Sequence, residues 1–196
     1  MKKIMILGCL FSLLFSGCSV DRLAILLRQY HSGALAAEKA EELERKFASA
    51  RAQFASDKSK ELLVLYIEGL TYEKRKNYPR ALSIFKQITE ADDSMLDVWL
   101  HIAQINSLLN KKEVAEKAYR TCLEIIKKEI SYIEGNKWPD HHILSDDHVR
   151  YAICYSMIDN SYLPSKQAGE DRGKINYVKI RENLLNLKRE IENALK

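Results

Sequence analysis

The chain has 196 residues, of which 30% are charged and 46% hydrophobic, with only 7 Gly and 3 Pro. This length suits one domain and the apolar share can form a core, which disfavours a disordered chain or a large multidomain enzyme. Because an all-β fold needs a turn residue about every 8–12 positions, so little Gly and Pro predicts an all-α fold. The four Cys are too few for a disulfide scaffold, and a formal net charge of +4 is too small to indicate a nucleic-acid partner.

Residues 1–17 have the pattern of an export signal peptide. Lys2 and Lys3 precede an apolar run from Ile4 to Ser16. At roughly 13 residues this run is shorter than the roughly 18 that a membrane-spanning helix needs. It ends in the sequence Leu-Phe-Ser-Gly-Cys at positions 14–18.

This ending resembles the signal of bacterial lipoproteins, in which small residues precede a Cys that becomes the first mature residue. The resemblance implies cleavage after Gly17, a diacylglycerol thioether and an acylated amino group on Cys18, and a lipidated linker over 18–22. Two or more acyl chains anchor a protein stably, so no membrane-spanning helix is needed. Ser19 stands where an Asp would retain such a protein in the inner membrane, which implies an outer-membrane location facing the periplasm, with display on the cell surface as the alternative. The alternative is an ordinary secretory signal with an incidental Cys.

A pattern of large, small and aromatic residues recurs at an offset of 34 from Leu62 onward. Spacings of 3 and 4 within each half are helical, and breaks fall at 76–79 and 110–112, so each copy is predicted to form a helix, a turn and a second helix. Pro79 suits the first turn of a helix, where its missing N–H needs no partner. The matched pairs are Leu65 and Trp99, Gly69 and Ala103, Tyr72 and Asn106, Ala81 and Ala115, Phe85 and Tyr119, and Ile88 and Cys122.

This pattern resembles the tetratricopeptide repeat over about residues 62–129. Trp99, Ala103, Ala115 and Tyr119 match the family's signature positions, as do their counterparts in the first copy, whereas Asn106 departs from the usual aromatic residue. The resemblance implies a short right-handed α-solenoid of helical hairpins. Because such arrays need at least three units to bury a continuous core, the flanking segments are expected to supply further, degenerate units.

Residues 23–61 are predicted to form a degenerate helical hairpin. One apolar face runs from Leu23 to Tyr30, another from Ala40 to Phe54, and Ser32-Gly33 interrupts them. Packing of the first face on the next helix is the preferred interpretation. Its insertion among lipid headgroups is the alternative.

Residues 130–196 are predicted to extend the second repeat and to close the array. The second helix continues through Ile133, a loop follows around 135–142, and a degenerate third repeat comes next. After a second loop over 164–173, an apolar stripe runs from Tyr177 to Ala194. The stripe spans about two and a half heptads, so a capping helix is preferred to a coiled coil.

The first helices of such an array are implied to line a concave groove. The lining would consist of Leu63, Tyr66, Leu70, Leu100, Gln104, Val149 and Ile153. These side chains suit an amphipathic helix or an extended apolar segment of a protein partner. The Lys and Asn with which chaperone-binding members of the family clamp a C-terminal carboxylate are missing from these positions. The alternative occupant is the chain's own terminal helix.

Two other sets of residues are candidates for a disulfide and for a metal site. Cys122 and Cys154 are predicted to lie on neighbouring helices, where two buried thiols are preferred to a disulfide. A ligand-rich cluster matches no metal-binding motif, and capping of a helix near Asp147 explains its acidic residues more simply. No metal and no cofactor are therefore predicted. The cluster consists of His141, His142, Asp146, Asp147 and His148.

No Gly-rich phosphate loop and no Ser nucleophile motif occurs, so catalysis is not predicted. The sequence instead predicts a lipid-anchored adaptor that binds a protein partner at the outer membrane, in assembly, secretion, pilus or other cell-envelope machinery. A periplasmic carrier of an apolar small molecule or lipid is the alternative, and a metal-dependent hydrolase is the third hypothesis.

Overall fold

The computed structural model describes residues 18–135 and 177–196, and every regular element in these ranges is a helix. The predicted all-α class is thereby confirmed. The helices fall into an N-terminal unit that ends at Ile84 and a C-terminal unit that begins at Phe85. In order they are α1 (Cys18–His31), α2 (Ala34–Ala37), α3 (Ala40–Phe54), α4 (Lys58–Lys74), α5 (Tyr78–Ala91), α6 (Leu96–Leu108), α7 (Lys112–Glu134) and α8 (Tyr177–Ala194).

Local chain chemistry sets where several helices begin. The Asp57 carboxylate accepts a hydrogen bond from the backbone N–H of Lys60 at 3.1 Å and so caps α4. The Asn77 side chain does the same for the backbone N–H of Arg80 at the start of α5, at 3.3 Å. Pro79 lies in the first turn of α5, as predicted, where its missing N–H costs no intrahelical hydrogen bond.

The predicted break at Ser32-Gly33 separates α1 from α2. Gly33 has φ of 79°, in the left-handed region that a side chain disfavours. The one-turn helix α2 follows it and was not predicted, because four residues are too few to show a helical period. Its Leu35 is fully buried, so this short helix adds to the core of the N-terminal unit.

The two predicted repeats turn in the same way after their first helices. Helices α4 and α6 end 34 residues apart, and α5 and α7 begin 34 residues apart. Lys76 and Asn110 both have left-handed backbone, with φ of 59° and 57°. In each copy the next residue donates its N–H to the carbonyl five positions earlier, at 2.9 Å, which is the hydrogen bond of a Schellman turn. The 34-residue period is therefore a property of the backbone as well as of the side chains.

Helix α4 forms the centre of the N-terminal unit. Residues 62–72 are buried on every side of the helix, and α4 packs against α1, α2 and α3. A helix that is apolar around its whole circumference belongs inside a core, because no face is left for water. The predicted faces of α1 and α3 meet this core through Leu23, Leu26, Leu43, Phe47, Ala50 and Phe54, all of them buried.

One charged side chain of α4 lies in that core and has a charged partner. Glu68 is 1% exposed, and its carboxylate accepts a hydrogen bond from the guanidinium of Arg51 on α3. The Arg51 side chain is 30% exposed, so the pair reaches from the interior to the edge of the unit. A paired charge offsets part of the free energy lost when a carboxylate is removed from water.

The C-terminal unit is organised by the hairpin of α6 and α7. The two helices pack against each other, and so short a connection makes them antiparallel neighbours. Helix α7 runs on to Glu134, which confirms the predicted long second helix. Helix α8 packs on α7. The buried residues of the resulting cluster are Leu96, Cys122, Ile126, Leu184 and Ile191.

Several predicted segments can be compared with the described ranges. Residues 18–22, predicted as a linker, belong to helix α1. The signal peptide, the loops over 136–142 and 164–173, and the degenerate third repeat lie outside the described residues. Among the helices that are described, none combines the length and the apolar character that crossing a membrane requires.

Candidate functional site

The predicted groove residues of the first repeat lie inside the N-terminal unit. Leu63, Tyr66 and Leu70 are all buried on α4, and their spacing of three and four places them on one face of that helix. They offer no open surface to a partner. Their expected exposure in a groove is therefore wrong for the described structure, because α4 is covered all round rather than on one side.

The predicted groove residues of the second repeat have different environments. Leu100 is partly buried and packs against the cluster to which α8 contributes, so the terminal helix shares a core with one predicted groove position. Gln104, one turn further along α6, is exposed. Val149 and Ile153 lie outside the described residues.

An exposed leucine continues this line on α6. Leu108 is 65% exposed and lies one turn beyond Gln104, so Leu100, Gln104 and Leu108 are spaced by four residues along one side of the helix. The sequence prediction stopped at Gln104. Extending the same spacing by one more turn would have included Leu108.

An open cleft of about 500 Å³ lies between α1 and α3 in the N-terminal unit. Its floor is apolar and its rim is charged, and Lys46 on this rim donates to Gln29 at 3.2 Å and to the carboxylate of Glu38. The lining residues are Ile25, Leu26, Gln29, Glu42, Arg45, Lys46, Ser49 and Ala50.

A buried acid lies at the start of α6. Asp97 is 5% exposed and occupies the first turn of the helix. Burial raises the pKa of its carboxyl to about 6, and the charge of His101, one turn along, acts in the opposite direction. The imidazole of His101 stacks on Phe85, with ring centroids 5.4 Å apart. The sequence analysis did not predict this pair, although an Asp and a His four residues apart share a helix face.

Cys122 lies beside this acid and is a free, buried thiol, which is one of the two buried thiols predicted. Its Sγ is 3.9 Å from the carbonyl oxygen of Leu96. Burial, and then the charge of Asp97, raise the pKa of the thiol to about 12. Because the thiolate is the nucleophile, a thiol with this pKa is unreactive at neutral pH. Cys154 lies outside the described residues.

Metal ligands do not cluster within residues 18–135 and 177–196, where no three His, Cys, Asp or Glu side chains are placed to hold one ion. The ligand-rich cluster at 141–148 lies outside these ranges.

Comparison with known proteins adds no relative. No family model, no curated protein and no solved structure matches this chain.

Proposed function

We propose that this protein is a lipid-anchored helical-repeat adaptor that binds a protein partner at the bacterial outer membrane. The observation that carries the proposal is the row of Leu100, Gln104 and Leu108 on α6, called here the α6 line. Gln104 and Leu108 are exposed, and Leu108 is 65% exposed at one helical turn from Gln104. A single exposed leucine is common on a protein surface, so it is the alignment of Leu108 with the predicted binding positions Leu100 and Gln104 that favours a contact surface.

The repeat architecture supports the same proposal. The 34-residue period of helix ends and left-handed turns is the period of tetratricopeptide repeats. Proteins of this architecture present successive helices of the same kind on one side and bind partners there. We therefore assign the α6 line to the partner-binding face of a short solenoid.

A partner helix with an apolar stripe would fit this line. The side chains of the α6 line repeat every four residues. They could therefore pack against apolar residues at positions i, i+4 and i+7 of an amphipathic helix. The amide of Gln104 would hydrogen-bond at the edge of the contact, and Leu108 would bury its side chain. Full burial of a leucine contributes roughly 1.5–3 kcal/mol, which corresponds to about a 10- to 100-fold change in affinity.

Replacement of Leu108 by Glu is expected to weaken partner binding at least tenfold, because a charge would have to be buried in the contact. Binding is measured by photo-crosslinking from a reactive residue at Gln104 in native membranes, with quantification of the crosslinked partner. Val114→Glu is the matched control, since Val114 is 50% exposed on α7 and lies off this line. Leu70→Glu is unsuitable, because Leu70 is buried and its replacement would unfold the N-terminal unit. If Leu108→Glu and Val114→Glu retained the same crosslinked partner in equal yield, the α6 line would not be the binding face.

Replacement of Cys18 by Ser is expected to release the protein from the membrane fraction, because the acyl chains carried by Cys18 would be absent. The measurement is fractionation of cells followed by mass spectrometry of the N-terminal peptide, which shows the acyl mass in the wild type alone. Cys122→Ser, in the core of the C-terminal unit, serves as the control for loss of a thiol. Retention of Cys18→Ser in the membrane without detergent treatment would contradict lipid anchoring.

The cleft between α1 and α3 favours one further candidate, a carrier of a small amphiphile. Its volume of about 500 Å³ and its apolar floor with a charged rim suit a ligand with one apolar and one polar end. Native mass spectrometry of the protein extracted from its own membranes would detect such a ligand. A bound amphiphile without any crosslinked protein would favour the carrier over the adaptor.

A further inference from the structure

We propose that Arg51, Tyr72 and Arg80 form a binding site for an oxyanion, a carboxylate or a phosphate group, in the N-terminal unit. The three side chains come from α3, α4 and α5, and each of them is a hydrogen-bond donor. The site shares no residue with the α6 line, so this proposal does not depend on partner binding there.

The Tyr72 hydroxyl is the first observation. Tyr72 is 4% exposed, and its hydroxyl oxygen is buried without a hydrogen-bond partner among the residues that the structure describes. A buried hydroxyl without a partner loses its hydrogen bonds to water and gains none in exchange. An anionic oxygen beside it would accept a hydrogen bond from the phenolic O–H and would satisfy the group.

Arg80 lies against the same residue. Its guanidinium carbon is 5.7 Å from the centroid of the Tyr72 ring. The backbone of Arg80 is held at the start of α5, where its N–H donates to the side chain of Asn77 at 3.3 Å. No carboxylate within the described ranges forms an ion pair with Arg80. Its guanidinium is therefore positioned by the ring and has donors available for an anion.

Arg51 supplies a second guanidinium. It donates to Glu68, which precedes Tyr72 by one turn on α4, so the carboxylate and the phenol lie on the same face of that helix. Burial, and then the positive charge of Arg80, lower the pKa of Arg51 below its usual range. The two positive charges repel each other, and an anion bound between the guanidinium groups would relieve the repulsion.

The balance of the surrounding charges favours the binding of one anion. Glu68 balances Arg51, and Glu61, whose charge also acts on Arg51, forms its own ion pair with Lys58 at 3.2 Å. Among the described residues, no ion pair balances the charge of Arg80. Planar guanidinium groups donate two parallel hydrogen bonds to a carboxylate or a phosphate, which is the geometry that distinguishes Arg from Lys in such sites. The expected ligand therefore carries an oxyanion group small enough to reach the Tyr72 hydroxyl.

The experiment measures the melting temperature of the purified full chain in inorganic phosphate, in acetate and in chloride at equal ionic strength. A ligand at ten times its dissociation constant raises the melting temperature of a chain of this size by about 3–6 °C. Four proteins are compared: the wild type, Tyr72→Phe, Arg80→Gln and the control Arg120→Gln. Arg120 is an exposed arginine on α7, so its replacement removes the same charge from the C-terminal unit instead of the N-terminal one. Arg51 is not replaced, because its replacement would leave the buried carboxylate of Glu68 without its ion-pair partner.

We expect phosphate or acetate to stabilise the wild type and Arg120→Gln, and to have no such effect on Tyr72→Phe and Arg80→Gln. The more effective probe identifies whether the site takes a phosphate or a carboxylate. In chloride alone, Tyr72→Phe should melt at the wild-type temperature or above it, because it removes a buried polar atom without a partner. The proposal is overturned if no oxyanion stabilises the wild type, or if all four proteins are stabilised equally. It is also overturned if Tyr72→Phe melts several degrees lower in chloride, since the hydroxyl would then already have a partner.

Discussion

Replacement of Asp97 by Asn is expected to stabilise the protein by about 3 kcal/mol at pH 7 and above, and to leave its stability nearly unchanged at pH 3. Burial raises the pKa of this carboxyl from 3.8 to about 6 in the folded protein. Each pKa unit corresponds to 1.36 kcal/mol of difference between the two states, and about two units give the expected effect. Asparagine has nearly the same shape and carries no charge to bury.

The direction of the pH dependence follows from proton binding by the two states. Below about pH 4 Asp97 is protonated in both the folded and the unfolded chain, so it contributes nothing. Between pH 4 and 6 the unfolded chain loses this proton first, and stability falls as pH rises. Above pH 6 the folded protein carries a buried carboxylate. The penalty is then constant.

Urea unfolding of the wild type and Asp97→Asn at several pH values measures this effect as the difference in unfolding free energy. Asp93→Asn is the control, because the Asp93 side chain is exposed in the connection just before α6. We expect the Asp97→Asn difference to grow from pH 4 to pH 7 and the Asp93→Asn difference to stay small throughout. A stability difference for Asp97→Asn that did not change over this range would contradict a raised pKa at Asp97.

Replacement of Arg51 by Ala is expected to destabilise the protein by about 3 kcal/mol, because it leaves the carboxylate of Glu68 buried without its partner. Removal of one member of a buried ion pair costs about 3–5 kcal/mol. The lower end applies here, since the Arg51 side chain is 30% exposed and water can reach part of the site. The double replacement Arg51→Met with Glu68→Leu removes both charges and should restore most of the lost stability.

An exposed ion pair on α7 provides the control for this prediction. Arg120 donates to Glu116 at 2.6 Å, and both side chains are at least half exposed. A pair of this kind on a helix surface contributes about 0.3–0.5 kcal/mol. Arg120→Ala should therefore cost far less than Arg51→Ala in the same unfolding measurement. Equal losses for the two variants would mean that Glu68 does not depend on Arg51.

The repeat region shows which structural features a periodic sequence pattern can predict. The spacing of apolar residues and the 34-residue offset predicted the turns between α4 and α5 and between α6 and α7, because both signals are local and occur twice. The left-handed Lys76 and Asn110 have the same offset, although a Lys and an Asn share little as residue types. The helix α2 escaped prediction, since four residues carry no period.

The buried charged residues show a feature that a periodic sequence pattern does not predict. Glu68 and Asp97 occupy helical positions that a sequence alone would place at the surface, as charged residues usually are. Glu68 is tolerated inside because Arg51, 17 residues earlier, reaches it, and Asp97 lies among side chains of α6 and α7. Contacts between residues this far apart depend on how helices cross, which no local pattern encodes.

The helices, their ends and the 34-residue repetition could thus be predicted from the sequence by itself, since each follows from spacing, capping residues and turn residues along a short stretch of chain. Only the tertiary structure decided which faces stay open. It buried Leu63, Tyr66 and Leu70 and left Leu108 exposed. It also placed the guanidinium of Arg80 against the ring of Tyr72, whose hydroxyl has no hydrogen-bond partner among the described residues. The reason is physical: a helix face is covered or open according to the neighbours that pack on it, and those neighbours are set by the whole fold.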